Sequence, residues 1–265
     1  MIIYIVLGII QGFTEPIPVS SSGHLVIIKN MLKAPFLNDL TFEIFSNFGS
    51  FLAIIIIFKK DITKLLKDFI FYIKTKNHKY KEGFNYSLLI ITGTLPAAIA
   101  GLCLNDFIEN NFVNVKYVGF SLLITAFFLF LVRNQTGIKT DDDIKITDAL
   151  KIGLFQIIAL FPGISRSGAT LVGGMASKLT RETAFKFSFM LYIPITIATM
   201  IFSIKDIANN SLNINLLSGY IIGAISAFIV TLITTKWFRN ILLKGKLVYF
   251  VYYCLIAGII VLLFL

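Results

Sequence analysis

Two short segments carry most of the residues that could do chemistry in this chain. The first reads QGFTEPIPVSSSGH and contains Glu15, Ser21 and His24, and the second reads PGISRSGAT and contains Arg166. A carboxylate and an imidazole are suited to proton transfer, and a serine hydroxyl can act as a nucleophile. An arginine guanidinium is a planar fork that binds phosphate through two hydrogen bonds. These residue types together predict chemistry on a phosphate group.

Each segment also predicts the start of a helix. Gln11 lies one helical turn before Glu15, so their side chains share a face. Ser165 is a natural N-cap, and Arg166 follows it in the first turn of the next helix. The other residues expected around an anion at these helix starts are Ser20, Ser22, Ser167 and Gly168. Two facing helix N-termini present unpaired N–H groups and positive dipole ends, which favours a phosphate site.

The elements that must position these residues are membrane helices. Of the 265 residues, 57% are hydrophobic and 14% are charged, whereas soluble domains contain about 25% charged residues. We therefore predict an all-α polytopic membrane protein, with six stretches that can cross about 30 Å of hydrocarbon. These stretches are residues 40–58, 84–104, 117–132, 185–204, 214–233 and 247–265. Two interrupted stretches, residues 2–32 and 149–179, are predicted to be re-entrant hairpins of two half-helices each.

Basic residues are unequally distributed between the two faces of this arrangement. If each hairpin enters and leaves on one face, four loops share a face and hold 19 of the 24 lysines and arginines. These loops are residues 59–83, 133–151, 178–186 and 236–246, and the opposite face has Lys29, Lys33, Lys116 and Lys205. The basic face is then cytoplasmic and both termini lie outside. Basic loops against anionic lipid also explain the net charge of +10, so nucleic acid is not expected as a partner.

The first basic loop has a helical pattern of its own. Apolar residues recur at helical spacing from Ile62 to Ile73, and lysines fall off that stripe. This pattern predicts an interfacial amphipathic helix and not a seventh span.

The two hairpins form part of an internal repeat. Gly8, Gln11 and Gly23 recur as Gly153, Gln156 and Gly168, each 145 residues later. The chain is therefore predicted to be a single membrane domain, residues 1–265, with repeats 1–133 and 148–265 joined by a linker, 134–147. Because three full spans follow each hairpin, the second repeat begins on the opposite face. The repeats are then inverted, and the hairpins meet near the midplane.

Several of these residues also have purely structural interpretations. A serine run at a helix start is most often a cap, which is the simpler role for Ser20 and Ser22. Glu15 and Arg166 could form an ion pair that only joins the repeats. Charged groups at membrane depth cost about 2.5–3.5 kcal/mol on insertion scales, which favours a functional role for both.

The two segments and their order resemble a known family. QGFTEPIPVSSSGH and PGISRSGAT resemble the two signature motifs of the undecaprenyl-diphosphate phosphatases, also called bacitracin-resistance proteins. The stretch FEIFSNFGSFLAI is similar to that family too, and the order of spans matches across essentially the whole chain. The resemblance implies an enzyme of the bacterial inner membrane that hydrolyses undecaprenyl diphosphate to the monophosphate carrier and phosphate, for cell-wall synthesis. It also implies bacitracin resistance, with a polyprenyl diphosphate and membrane lipid as partners.

The resemblance also assigns residues. It carries over Glu15, Ser21 and His24 from the first motif and Ser165, Arg166 and Thr170 from the second. Gln11 stands where many members have a second carboxylate, and Asn47 stands where glutamine or histidine is common; both are expected to contact substrate. A divalent cation, Mg²⁺ or Ca²⁺, is expected to neutralise the diphosphate, with Glu15 as its protein ligand. Because Gln11 stands in place of a second carboxylate, the number of protein ligands to this cation stays open.

The predicted function is therefore phosphatase activity on a lipid diphosphate, at a site that faces the outer side of the membrane. Arg166 and the helix N–H groups would hold the terminal phosphate. His24, oriented by Glu15, would be either the nucleophile or the base for Ser21, and the sequence leaves both open. The rival function is transport of a lipid phosphate, because inverted repeats with midplane hairpins are a transporter architecture. The oligomeric state is open, with a homodimer among the alternatives.

Overall fold

The chain folds into a bundle of α-helices. The computed structural model describes residues 1–32, 40–112, 114–209 and 216–265. The helices in these ranges are α1 (Ile2–Thr14), α2 (Ser21–Leu32), α3 (Leu40–Ile57), α4 (Lys59–Thr75), α5 (Lys81–Phe112), α6 (Val115–Val132), α7 (Ile146–Ile158), α8 (Arg166–Ala176), α9 (Arg181–Asn209), α10 (Leu217–Leu243) and α11 (Val248–Phe264). The predicted all-helical class is confirmed.

Four of the helices are too short to cross a membrane. Helices α1, α2, α7 and α8 contain 13, 12, 13 and 11 residues. At about 1.5 Å of rise per residue each reaches at most roughly 20 Å, whereas the hydrocarbon core is about 30 Å thick. They have the lengths predicted for half-helices, and irregular segments at residues 15–20 and 159–165 join them in pairs.

The described part of the chain has four helices that are long and apolar enough to span a membrane. They are His78–Leu104, Val115–Val132, Arg181–Phe202 and Leu217–Leu243. Helices α3 and α4 count as a fifth candidate if taken together, although the chain bends by 75° between them. The predicted span 247–265 corresponds to α11, a shorter apolar helix of 17 residues. The chain is therefore a multi-pass membrane protein, and the six-span topology stays a prediction.

Parts of the sequence-based topology lie outside the described residues. Residues outside the described ranges are Lys33, which was assigned to the outer face, and residues 214–215, which begin a predicted span. The side chain of Lys205 is likewise not described.

Helix α4 occupies the first basic loop, where the amphipathic helix was predicted. Its apolar side chains Leu66, Ile70 and Ile73 are exposed in the isolated chain. The 75° bend after α3 turns this helix away from the direction of the preceding span. An exposed apolar stripe on a helix in this position is typical of an interfacial helix.

The first half-helix of each repeat packs against a long helix of the other repeat. Helix α1 packs against α10, and α7 packs against α5. A Cβ atom on Gly8 would lie 2.3 Å from the carbonyl oxygen of Gly223, and one on Gly153 would lie 2.5 Å from that of Gly93. Only glycine allows these backbones to approach so closely, as is common between membrane helices. The 145-residue repeat therefore corresponds to two similar helix crossings.

The four basic loops meet at one end of the bundle. Lys186 forms ion pairs with Asp61 at 3.0 Å and with Asp141 at 2.8 Å, which links three of the loops. Arg239 pairs with Glu182 and attaches the fourth. The loops therefore share a face, as the predicted arrangement of spans and hairpins requires.

Candidate active site

The predicted site residues gather around one cavity of about 790 Å³. Ten of the twelve line it: Gln11, Glu15, Ser20, Ser21, Ser22, Asn47, Ser165, Arg166, Ser167 and Thr170. The cavity also has an apolar part, to which α5 contributes Ala97, Ala98 and Gly101. At its margin Leu102 of α5 and Phe202 of α9 are 69% and 50% exposed in the isolated chain. A ligand with a polar head and an apolar tail suits such a cavity.

Glu15 lies at the centre of the polar part. Its Oε1 accepts a hydrogen bond from Nη2 of Arg166 at 2.9 Å. Its Oε2 accepts from Oγ of Ser21 at 2.5 Å and from Nε2 of Gln11 at 3.0 Å. Gln11 also donates to Oδ1 of Asn47 at 2.6 Å. One carboxylate thus joins side chains from both hairpins, although they are 151 residues apart in sequence.

Arg166 is oriented by α9 as well as by Glu15. Its Nη1 donates to Oγ1 of Thr196 at 3.2 Å, and its guanidinium carbon lies 4.4 Å from the ring centroid of Tyr192. The contact with the ring face and the two directional bonds use the guanidinium geometry that lysine lacks. The sequence did not single out Tyr192 or Thr196, because both lie inside a long apolar helix with no local motif.

Both helix starts at the cavity are capped by the predicted serines. Oγ of Ser165 accepts from the backbone N–H of Gly168 at 3.1 Å, and Oγ of Ser20 accepts from that of Gly23 at 3.2 Å. The N-termini of α2 and α8 therefore both face the cavity, where their first N–H groups have no partner within the helix. Ser20 has a φ of 69°, a left-handed conformation that is uncommon for serine and often found at functional sites.

Ser167 and Gly168 of the second motif hold the hairpins together, and Thr170 attaches the second hairpin to α9. Oγ of Ser167 donates to the backbone oxygen of Ile17 in the first hairpin at 3.1 Å. A Cβ atom on Gly168 would lie 3.1 Å from the side chain of Pro18, so the hairpins are in close contact here. Thr170 bonds to the backbone oxygen of Arg166 at 2.9 Å and to Ser188 on α9. Ser167 and Thr170 also line the cavity, whereas Gly168 does not.

His24 lies apart from the carboxylate. Its Nδ1 is 2.7 Å from the backbone oxygen of Ser20, and its Nε2 is 2.6 Å from the hydroxyl of Tyr253 on α11. The two rings are stacked, with centroids 5.6 Å apart. Both ring nitrogens thus have partners other than Glu15 and Ser21. The expected orientation of His24 by Glu15 is not what the structure shows, because helix α2 directs the ring toward α11.

Comparison with known proteins decides the family. The family model described as bacitracin resistance protein BacA matches residues 4–260. The chain belongs to the BacA family. Its relatives include undecaprenyl-diphosphatase 1 of Bacillus cereus, which is 44% identical over 262 residues, 99% of this chain and 97% of the relative. Undecaprenyl-diphosphatase 1 of Bacillus licheniformis is 44% identical over 265 residues, 100% of this chain and 98% of the relative. Undecaprenyl-diphosphatase of Oceanobacillus iheyensis is 41% identical over 266 residues, with 99% and 96% covered.

The donor atoms in this BacA-family site suit a cation only if the substrate supplies further ligands. Among the described residues, no group of three or more His, Cys, Asp or Glu side chains could hold a metal ion. Glu15 offers one carboxylate, with the amides of Gln11 and Asn47 beside it, and Glu43 on the cavity wall pairs with Lys29. Mg²⁺ is commonly bound by one or two carboxylates together with phosphate oxygens and water. The site therefore fits a cation that arrives with a diphosphate.

Proposed function

We propose that this chain is an undecaprenyl-diphosphatase, which converts undecaprenyl diphosphate to undecaprenyl phosphate and inorganic phosphate. The observation that carries the proposal is the convergence of Ser21, Glu15 and Arg166 at one cavity with an apolar extension. Full-length similarity to three undecaprenyl-diphosphatases supports the same reaction. The product is the lipid carrier used in cell-wall synthesis, and its recycling is the basis of bacitracin resistance.

The hydrogen bond from Ser21 to Glu15 supports Ser21 as the nucleophile, with Glu15 as its base. A nucleophile within hydrogen-bond distance of a base held by further groups is the arrangement that activates a hydroxyl. Oγ of Ser21 attacks the terminal phosphorus while Glu15 accepts the serine proton. The bond from that phosphorus to the bridging oxygen breaks, and the departing lipid phosphate takes up the proton. Glu15 then accepts a proton from the water that hydrolyses phosphoserine and returns it to the departing Oγ, which releases inorganic phosphate and restores the Ser21 hydroxyl and the Glu15 carboxylate.

Arg166 and the helix N-termini stabilise the negative charge that develops on the transferred group. The guanidinium is already aligned by Glu15, Thr196 and Tyr192, so little reorganisation is needed during the reaction. A divalent cation, when bound, would be held by Glu15 and would neutralise phosphate charge. In this scheme His24 contributes by positioning the start of α2, through its contacts with Tyr253 and with the backbone oxygen of Ser20.

The orientation in the membrane is part of the proposal. We infer inverted repeats that interlock, since α1 packs on α10 while α7 packs on α5. The basic loops at one end are cytoplasmic by the positive-inside rule, which puts both termini and the entrance to the site on the outer side. A lateral opening at Leu102 and Phe202 admits the long lipid tail from the outer leaflet.

The decisive experiment measures phosphate release from undecaprenyl diphosphate by the purified full-length protein in detergent. Detergent abolishes the two membrane sides, so hydrolysis there cannot be explained by transport. The proposal expects phosphate and lipid monophosphate in equal amounts, with loss of both in Ser21→Ala. Binding of the diphosphate without hydrolysis would instead support the transport function, which the interlocked repeats also suit.

A further inference from the structure

Gln156 on α7 is buried and lacks a hydrogen-bond partner within the described chain. Its side chain is 2% exposed, and neither Nε2 nor Oε1 bonds to any described group. The side chain nevertheless lines the cavity that contains Glu15 and Arg166. A buried amide without partners is costly, and more so in a membrane protein that cannot rely on lipid for hydrogen bonds. The natural explanation is a ligand that supplies the missing partner.

The equivalent position of the repeat provides a contrast to this unpartnered amide. Gln11, its counterpart 145 residues earlier, donates to Glu15 and to Asn47. The residue 145 positions after Glu15 is Leu160, which offers no acceptor to Gln156. The first glutamine is therefore part of a hydrogen-bonded network, and the second is available to something that enters the cavity.

The position of Gln156 indicates which part of a substrate it meets. Helix α7 packs on α5, with Gly153 against Gly93 one turn before Gln156. The same α5 wall supplies Ala97 and Ala98 to the apolar part of the cavity. Consider a lipid diphosphate bound with its terminal phosphate at Ser21 and its tail along α5. Its other phosphate, the one attached to the lipid, then lies beside Gln156.

We propose that Nε2 of Gln156 donates a hydrogen bond to a non-bridging oxygen of this lipid-proximal phosphate. The inference rests on the proposed function and names a binding residue for the part of the substrate that remains in the product. Because the lipid-proximal phosphate is present in substrate, transition state and product alike, the bond contributes equally to all three. Its removal therefore raises KM and weakens product inhibition, with little change in kcat.

The test is Gln156→Leu in the full-length protein. We expect KM for undecaprenyl diphosphate and the inhibition constant of undecaprenyl phosphate to rise by the same factor, at least about tenfold for one hydrogen bond to a charged group. The kcat should stay within about twofold of the wild-type value. Thermal stability in detergent should not fall, because leucine replaces an unpaired amide with an apolar group of similar size.

Two further variants make the result specific. Gln135→Leu is the same substitution at an exposed position of the linker, and its kinetics should match those of the wild type. Gln156→Glu places a carboxylate beside a phosphate, so its KM should exceed that of Gln156→Leu.

Unchanged KM and unchanged product inhibition in Gln156→Leu would overturn the inference. If thermal stability fell while both kinetic values stayed unchanged, the role of Gln156 would be in packing. If the leucine variant does not fold, Gln156→Met gives the same comparison. If the wild type releases no phosphate, the proposed function fails by itself. In that case the contact is tested by measuring the affinity of radiolabelled undecaprenyl phosphate for the wild type and for Gln156→Leu. Equal affinities would refute the proposed hydrogen bond.

Discussion

Replacing Arg166 with lysine keeps the positive charge and removes the fork. In the structure Nη2 bonds to Glu15 at 2.9 Å, Nη1 bonds to Thr196 at 3.2 Å, and the flat guanidinium lies over Tyr192. A lysine ammonium is a single point charge, so it cannot hold Glu15, remain on the Tyr192 ring and contact phosphate with two parallel bonds. At least one charge-assisted hydrogen bond to the terminal phosphate is lost in the transition state.

The size of the effect follows from that lost bond. A hydrogen bond that involves a charged group contributes about 1.5–3 kcal/mol, which corresponds to a loss of about 10- to 150-fold in kcat/KM. Because the bond strengthens as charge develops on the transferred phosphoryl group, most of the loss should be in kcat.

The assay is phosphate release from undecaprenyl diphosphate by purified protein in detergent, with thermal unfolding as the check on folding. Arg239→Lys is the matched control. Arg239 pairs with Glu182 at the exposed end of the bundle, with 46% of its side chain exposed, and surface pairs of this kind contribute little. A kcat/KM of Arg166→Lys within threefold of the wild type would refute bidentate binding of phosphate by Arg166.

Three further predictions concern the nucleophile, the metal and the membrane orientation. Acid quenching with substrate labelled in the terminal phosphate should trap a phosphoserine in His24→Ala and none in Ser21→Ala; a label that survives only an alkaline quench, and that Ser21→Ala retains, would identify phosphohistidine and reverse these roles. Gln11→Glu brings a second carboxylate to within about 3 Å of Glu15, so activity should depend more steeply on added Mg²⁺, and an unchanged Mg²⁺ titration would argue against Glu15 as a ligand. In a background without native cysteines, a membrane-impermeant thiol reagent on intact cells should label Asn30→Cys and spare Lys76→Cys, both being exposed positions; the opposite pattern would invert the proposed orientation.

Local features of this chain follow from the sequence because their causes lie within a few residues. Helix α7 ends at Ile158, four residues before the predicted break at Pro162 and Gly163, and Ser165 begins α8 with the predicted cap. The half-helix lengths and the amphipathic α4 follow from hydrophobic spacing. The shared face of the four basic loops was also predictable, because apolar stretches of this length favour a membrane crossing.

The partners of individual side chains depend on helices that are distant in sequence. His24 was expected beside Glu15, but its Nε2 contacts the hydroxyl of Tyr253, which lies 229 residues away. Tyr192 and Thr196 orient Arg166 although no local motif distinguishes them from the apolar residues of α9.

The repeat itself shows where sequence reasoning ends and tertiary structure decides. The sequence by itself determined that Gln11 and Gln156 are equivalent by their 145-residue offset. Only packing decided that the first amide donates from Nε2 to Glu15 and Asn47 while the second faces the cavity without a partner among the described residues. The physical reason is that a hydrogen bond depends on distance and direction in space, and the groups that meet these amides lie on other helices whose placement the packing of the whole bundle sets.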